Sequence, residues 1–198
     1  LGIKIMYDTI EEFPDLETMQ HAITRESLKH FGIDKEVTIA SIADILAKGS
    51  GLGSSSAFTI GLVNVLANPD QHSSLVSREY LAQTAYMIER ELCKYPVGKQ
   101  DQYASAYGGM NLFKFKRNGD VDVNEMLLIK PNITSLEKKL MLVYSGRGRD
   151  ANNILQKQQK AMTNIDKFRI VQRARDKAYH AVDLIRSEEH TSELQSRG

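Results

Sequence analysis

The 198-residue chain has one cysteine, no tryptophan, four prolines and only 7% aromatic residues. A single thiol, Cys93, cannot close an internal disulfide, so the fold does not depend on an oxidising compartment. There is no apolar run of the roughly 18 residues that a membrane-crossing helix needs, and no recognisable secretory leader, so a reducing cytoplasm is the expected location. Charge of one sign is also missing. The 26 basic and 25 acidic side chains leave a net charge of +1, and the Lys and Arg residues are scattered, which gives no electrostatic footprint for nucleic acid or an anionic membrane. What is present, 41% hydrophobic and 26% charged residues, is the composition of a folded globular domain. No internal repeat or low-complexity tract occurs.

The chain opens on Leu1 and runs directly into "LGIKIMY", which alternates like a strand already under way. Near the other end, Arg186 to Ser196, "RSEEHTSELQS", resembles the in-frame translation of a sequencing adapter. Residues 186–198 are therefore set aside as an artefact, and 1–185 are expected to be an interior piece of a longer protein.

Between these ends the patterning predicts alternating helices and strands. Asp15 is a candidate N-cap for a helix carrying Leu16, Met19, Ile23, Leu28 and Phe31 and stopped by Gly32. "EVTIASIAD", Glu36–Asp44, is rich in β-branched residues and reads as a strand. From Ser54 to Asn68-Pro69 an almost wholly apolar run predicts a buried helix, and Ser77–Cys93 predicts another, with Leu81, Ala85, Ile88 and Leu92 as its stripe. The following "YPVGKQDQYASAYGGM" is expected to be irregular because of its Gly and Pro content. Met110–Lys116 and "DVDVNEMLLI" flank Asn118-Gly119 as a hairpin, "KKLMLVYSG" reads as a further strand, and the polar stretch from Asp150 reads as one or two helices.

One segment asks for a chemical explanation. "KGSGLGSSSAF", Lys48–Phe58, joins a strand to a helix N-terminus, where unpaired N–H groups and the helix dipole suit an anion. Gly49, Gly51 and Gly53 allow close backbone approach, and Ser54, Ser55 and Ser56 supply hydroxyls for phosphate or magnesium. The pattern alone favours the phosphate loop but also allows a plain helix cap. A Walker loop would need Lys where Ser54 stands, and the Rossmann fingerprint G-x-G-x-x-G, begun at Gly49 and Gly51, would need its third Gly at that same position; neither fits.

"GLGSSSA", Gly51–Ala57, closely resembles the second signature of the GHMP small-molecule kinases. "IERE" at 88–91, "GKQDQYASAYGGMN" at 98–111 and "LVYSGRGRDANNIL" at 142–155 resemble its sugar-kinase branch, which contains D-glycero-D-manno-heptose 7-phosphate kinase and the L-fucokinases. The resemblance implies an α+β GHMP kinase fold: an N-terminal domain like domain 2 of ribosomal protein S5 over 1–131, and the beginning of a ferredoxin-like C-terminal domain over 132–185. It also implies ATP and Mg²⁺, with Gly49, Ser50, Gly51, Leu52, Gly53, Ser54, Ser55 and Ser56 wrapping the phosphates. Ser55 and Glu89 match the family's metal ligands, and Asp101 matches the carboxylate that takes a proton from, or orients, the sugar hydroxyl. From the residues alone Glu89 and Glu91 are both open as ligands, Asp101 could be a cap or an Asx-turn, and Arg147 and Arg149 could grip a phosphate or simply be solvated. A proline usual before the glycine loop is replaced by Leu46. The family's N-terminal substrate segment and C-terminal glycine signature are absent, so the fragment itself is expected to be inactive. The resemblance implies a sugar or sugar-phosphate substrate, heptose 7-phosphate first and L-fucose next; a non-catalytic sensor is the alternative from another class.

Overall fold

The computed structural model describes residues 2–7, 9–42, 51–69, 76–126, 130–143, 155–157 and 164–196. They group into two compact units, Leu1–Gly108 with Gly146–Leu155, and Gly109–Ser145 with Gln156–Gly198.

In the first unit β1 (Ile3–Met6) is the middle strand of three. It pairs antiparallel with β2 (Ile10–Phe13), Ile5 opposite Glu11, and parallel with β3 (Thr38–Ala40), Ile5 opposite Ile39. Alternation buries both Ile3 and Ile5, and Ile3 joins a core with Leu16, Met19 and Leu28. The described part of the strand expected over Glu36–Asp44 is shorter than that, three residues; positions 43–44 lie outside the described residues.

The first helix starts later than its periodicity suggests. Asp15 Oδ1 accepts from Thr18 N at 3.0 Å and closes only a turn. Helix α1 (Ala22–His30) is capped by His21, whose Nδ1 accepts from Thr24 N at 3.3 Å. Leu16 and Met19 are buried from that turn, which is why their spacing mimicked a helix. Gly32, at φ +69°, ends it as expected.

A second core lies between helices. α2 (Ser54–Ala67) and α3 (Arg78–Met87), the latter capped by Ser77 Oγ on Tyr80 N at 3.1 Å, bring Ile60, Val63, Leu81, Ala85 and Ile88 together. α3 continues into a π-helical turn, Ile88–Leu92, in which Cys93 N reaches back to Ile88 O at 2.9 Å. The extra residue rotates the end of the predicted stripe outward, so Leu92 is 40% exposed. Lys94 follows at φ +59°, a left-handed conformation that disfavours a side chain. Lys94→Gly is therefore expected to raise stability by about 0.5–1 kcal/mol, read as a higher denaturant midpoint at unchanged slope.

Cys93 is half-buried, and burial pushes its thiol up from 9.0 to about 11. Below pH 9 its thiolate fraction is then about 100-fold lower than that of an unperturbed thiol. Iodoacetamide should label it correspondingly slowly in the folded chain and at an ordinary rate in urea.

The segment expected to be irregular contains a helix, α4 (Gln100–Tyr107). Its breakers, Pro96 and Gly98 before and Gly108 and Gly109 after, all lie outside those eight residues and act as its boundaries. α4 is fastened to α3 by Glu79, whose carboxylate accepts from Tyr103 Oη at 2.6 Å and from Tyr107 Oη at 3.0 Å. Burial, and then the bond to Glu79, push the Tyr103 phenol well above its usual range.

The second unit holds the expected hairpin, β4 (Asn111–Phe115) and β5 (Val121–Glu125), Phe113 opposite Val123. The turn places Gly119 at φ +95°, and Asn118 Oδ1 accepts from Asp120 N at 3.1 Å. The strand expected from "KKLMLVYSG" is not formed over its described part: Lys138 and Lys139 close helix α5 (Lys130–Lys139), and Leu140–Val143 are irregular and exposed. The sequence there is β-prone, but no neighbouring strand in the described residues receives it, and an unpaired strand has no hydrogen-bond partners. Helix α6 (Ile165–Ser196) completes the unit, with Asn164 Oδ1 accepting from Asp166 N at 3.0 Å. Among the described residues no helix is long and apolar enough to cross a membrane.

Candidate active site

The described part of the glycine loop ends in a geometry that only glycine adopts easily. Gly53 is the residue before α2 and sits at φ +71°. A Cβ there would lie 3.6 Å from Asp101 Cγ and 3.7 Å from Asp101 Oδ2. Asp101, in the first turn of α4, thus packs its carboxylate against the entry to α2. Two helix N-termini meet beside this exposed carboxylate, and the same place suits a second anion at the positive end of the α2 dipole.

Behind this surface lies a carboxylate of the opposite kind. Glu89, on the π-helical turn, is fully buried. Its Oε1 accepts from Thr59 Oγ1 at 2.6 Å, and its Oε2 accepts from Ser56 Oγ at 3.1 Å and from Gln102 Nε2 at 2.9 Å. Thr59 Oγ1 also stands 2.9 Å from Ser55 O. A hydroxyl has one hydrogen, and the shorter contact, to a carboxylate, claims it. Burial pushes the Glu89 carboxyl above the ordinary carboxylate range, the three hydrogen bonds oppose that shift, and the Asp101 charge adds to it. No salt bridge to Glu89 occurs among the described residues.

Gln102 completes the arrangement from α4. It is fully buried, and while its Nε2 serves Glu89 its Oε1 has no hydrogen-bond partner among the described residues. An unpaired buried carbonyl costs about 1–3 kcal/mol.

The donor set can be tested against a divalent cation. Among the described residues there is no group of three or more His, Cys, Asp or Glu that could hold one alone. Magnesium, however, commonly takes one or two carboxylates and completes its shell with phosphate oxygens and water. Three hydrogen bonds leave about one acceptor position on the Glu89 carboxylate, and a cation beside it would offset the burial that disfavours its charged form. Hard oxygens, a carboxylate and neighbouring hydroxyls therefore fit a magnesium ion that arrives with a phosphate ligand.

The sequence model described as the GHMP kinases N terminal domain matches residues 17–109. Over those residues the chain is similar to a GHMP kinase N-terminal domain. It is 36% identical over 107 residues to the D-glycero-alpha-D-manno-heptose 7-phosphate kinase of Campylobacter jejuni subsp. jejuni, covering 54% of this chain and 31% of that protein. The crystal structure of a D-glycero-D-manno-heptose 1-phosphate kinase from Bacteroides thetaiotaomicron superposes with a TM-score of 0.58 at 25% identity, over 68% of this chain and 47% of the other. A Campylobacter jejuni crystal structure also gives 0.58, at 22% identity over 86% of this chain and 58% of the other, which bears on the fold alone. The matches thus span about a third of the curated relative and about half of the solved chains. The mixed helix-and-strand fold expected from the sequence is the one these structures share.

The sequence-predicted residues fall in three places. Gly49 and Ser50 lie outside the described residues, as do Arg147 and Arg149. Gly51, Leu52 and Ser55 are exposed at the mouth of α2, with Gly53 and Ser54 half-buried beside them. Ser56, Glu89 and Asp101 line the junction of α2, the π-helical turn and α4. Burial separates the two glutamates left open by sequence, since Glu91 is exposed and Glu89 is not. The hydroxyl that touches Glu89 is that of Ser56, one residue beyond Ser55. Two residues that touch Glu89 were not singled out from sequence, Thr59 and Gln102. Thr59 lies one turn from Ser56 on α2, and Gln102 adjoins Asp101, so a helical reading of "KQDQYAS" would have turned both toward the site.

Proposed function

We propose that this chain is the nucleotide-binding part of an ATP-dependent sugar kinase that transfers the γ-phosphoryl group to the anomeric hydroxyl of D-glycero-D-manno-heptose 7-phosphate. The observation that carries the reading is the convergence of the Gly53 loop, buried Glu89 and exposed Asp101 at one helix N-terminus. The Gly51–Ser56 backbone and the first turn of α2 hold the nucleotide phosphates. Ser55 and Glu89 hold magnesium, which when bound neutralises charge on the phosphoryl group being transferred. Asp101 accepts a hydrogen bond from the attacking hydroxyl and orients it or takes its proton. The heptose preference is drawn from the relatives' names and the motifs at 88–91, 98–111 and 142–155.

The test is ADP release with Mg-ATP and heptose 7-phosphate, free heptose, L-fucose, mevalonate or homoserine, using this chain and the same chain extended to the length of its relatives. Selective turnover of heptose 7-phosphate is the expected result. Preference for L-fucose would keep the kinase and change the sugar, and tight Mg-ATP binding without turnover on any of them would favour a nucleotide sensor.

A further inference from the structure

We propose that Gln102 is a positioning residue that holds Glu89 and Asp101 as one unit. The inference rests on the kinase reading above. Ser56 and Thr59 both approach Glu89 from α2; Gln102 is the donor that joins this carboxylate to α4. Asp101 and Gln102 are successive residues of that helix, so their side chains leave it about 100° apart. One meets the entry to α2 at Gly53 and the other meets Glu89. A shift of the buried carboxylate is thereby carried to the exposed one through a single peptide unit.

The unpaired Oε1 favours this role over plain packing. A side chain kept only to fill space would be apolar, and a glutamine kept only for stability would have both ends of its amide satisfied. Here one end has no partner among the described residues while the other is aimed at Glu89. Turning the amide over would set two acceptors face to face, so the observed orientation follows from the carboxylate. Stability is given up for the placement of one donor, as happens at functional sites.

Gln102→Met keeps the length and deletes both amide ends. In the 198-residue chain, the affinity for Mn-ADP, read from the electron paramagnetic resonance signal of free Mn²⁺, should fall about 10-fold or more. The affinity for metal-free ADP should stay within about two-fold, and the melting temperature should be equal or higher, because the unpaired carbonyl leaves together with the donor. A merely structural glutamine would lower all three together. Should the Met variant not fold, Gln102→Asn, which keeps the amide but not the reach, is expected to show the same selective loss of Mn-ADP. Unchanged Mn-ADP affinity, or an equal loss for metal-free ADP, overturns the proposal while leaving the kinase reading intact. Failure of the unsubstituted chain to bind ADP with or without Mn²⁺ overturns both.

Discussion

Asp101→Asn is expected to lower phosphoryl transfer by about a hundred- to ten-thousand-fold while Mg-nucleotide binding survives. The amide has the shape of the carboxylate, so its packing on Gly53, 3.6–3.7 Å from the position of a Cβ there, is retained. What is lost is the capacity to take a proton from the sugar hydroxyl and the negative charge that orients it. Asp101 lies in the first turn of α4 and is exposed, so the substitution leaves no buried group unpaired and should cost only the dipole interaction, roughly 0.3–1 kcal/mol. Single-turnover ADP formation in the chain extended to its relatives' length, measured beside nucleotide affinity, separates the two effects. Equal turnover in the two proteins would remove Asp101 from the chemistry.

Glu89→Gln is expected to act in opposite directions on stability and on binding. A carboxyl with a folded pKa above its ordinary 4.5 binds its proton more tightly in the folded chain. Its contribution to stability is fully present below that ordinary value and is lost as pH rises through the folded value. The neutral amide does not suffer this loss. The variant should therefore match the parent near pH 4 and exceed it at pH 7, seen as a higher melting temperature whose margin disappears on acidification. The same substitution removes the anionic oxygen offered to magnesium, so the gain in nucleotide affinity on adding Mg²⁺ should vanish. A variant less stable than the parent at pH 7, or one with its magnesium response intact, would refute the account of Glu89.

Near one another in sequence, the residues of this site were legible. The apolar run after Ser54 and the glycines before it announce a loop feeding a buried helix, because the spacing of 3.6 residues and the conformational freedom of glycine are local properties. Asn118-Gly119 announced its hairpin for the same reason, since the turn's dihedral angles belong to those two residues. Where local signals were ambiguous, the reading failed. Leu16 and Met19 are buried from a turn that imitates a helix, α4 was hidden by the breakers that delimit it, and Leu140–Val143 has strand composition without a strand to pair with.

By itself, then, the sequence determined the buried helix after Ser54, the hairpin at Asn118-Gly119, the anion-ready junction at Gly51–Ser56 and the carboxylates worth testing, because each depends on contacts within a few residues. Which glutamate is buried, which serine reaches it and how Asp101 comes to lie against Gly53 were decided only by tertiary structure. Those outcomes depend on a π-helical turn and on pairs 13 to 33 residues apart, Gln102 with Glu89 and Ser56 with Glu89. Desolvation and hydrogen bonding at that distance are set by how helices pack, and no local periodicity encodes them.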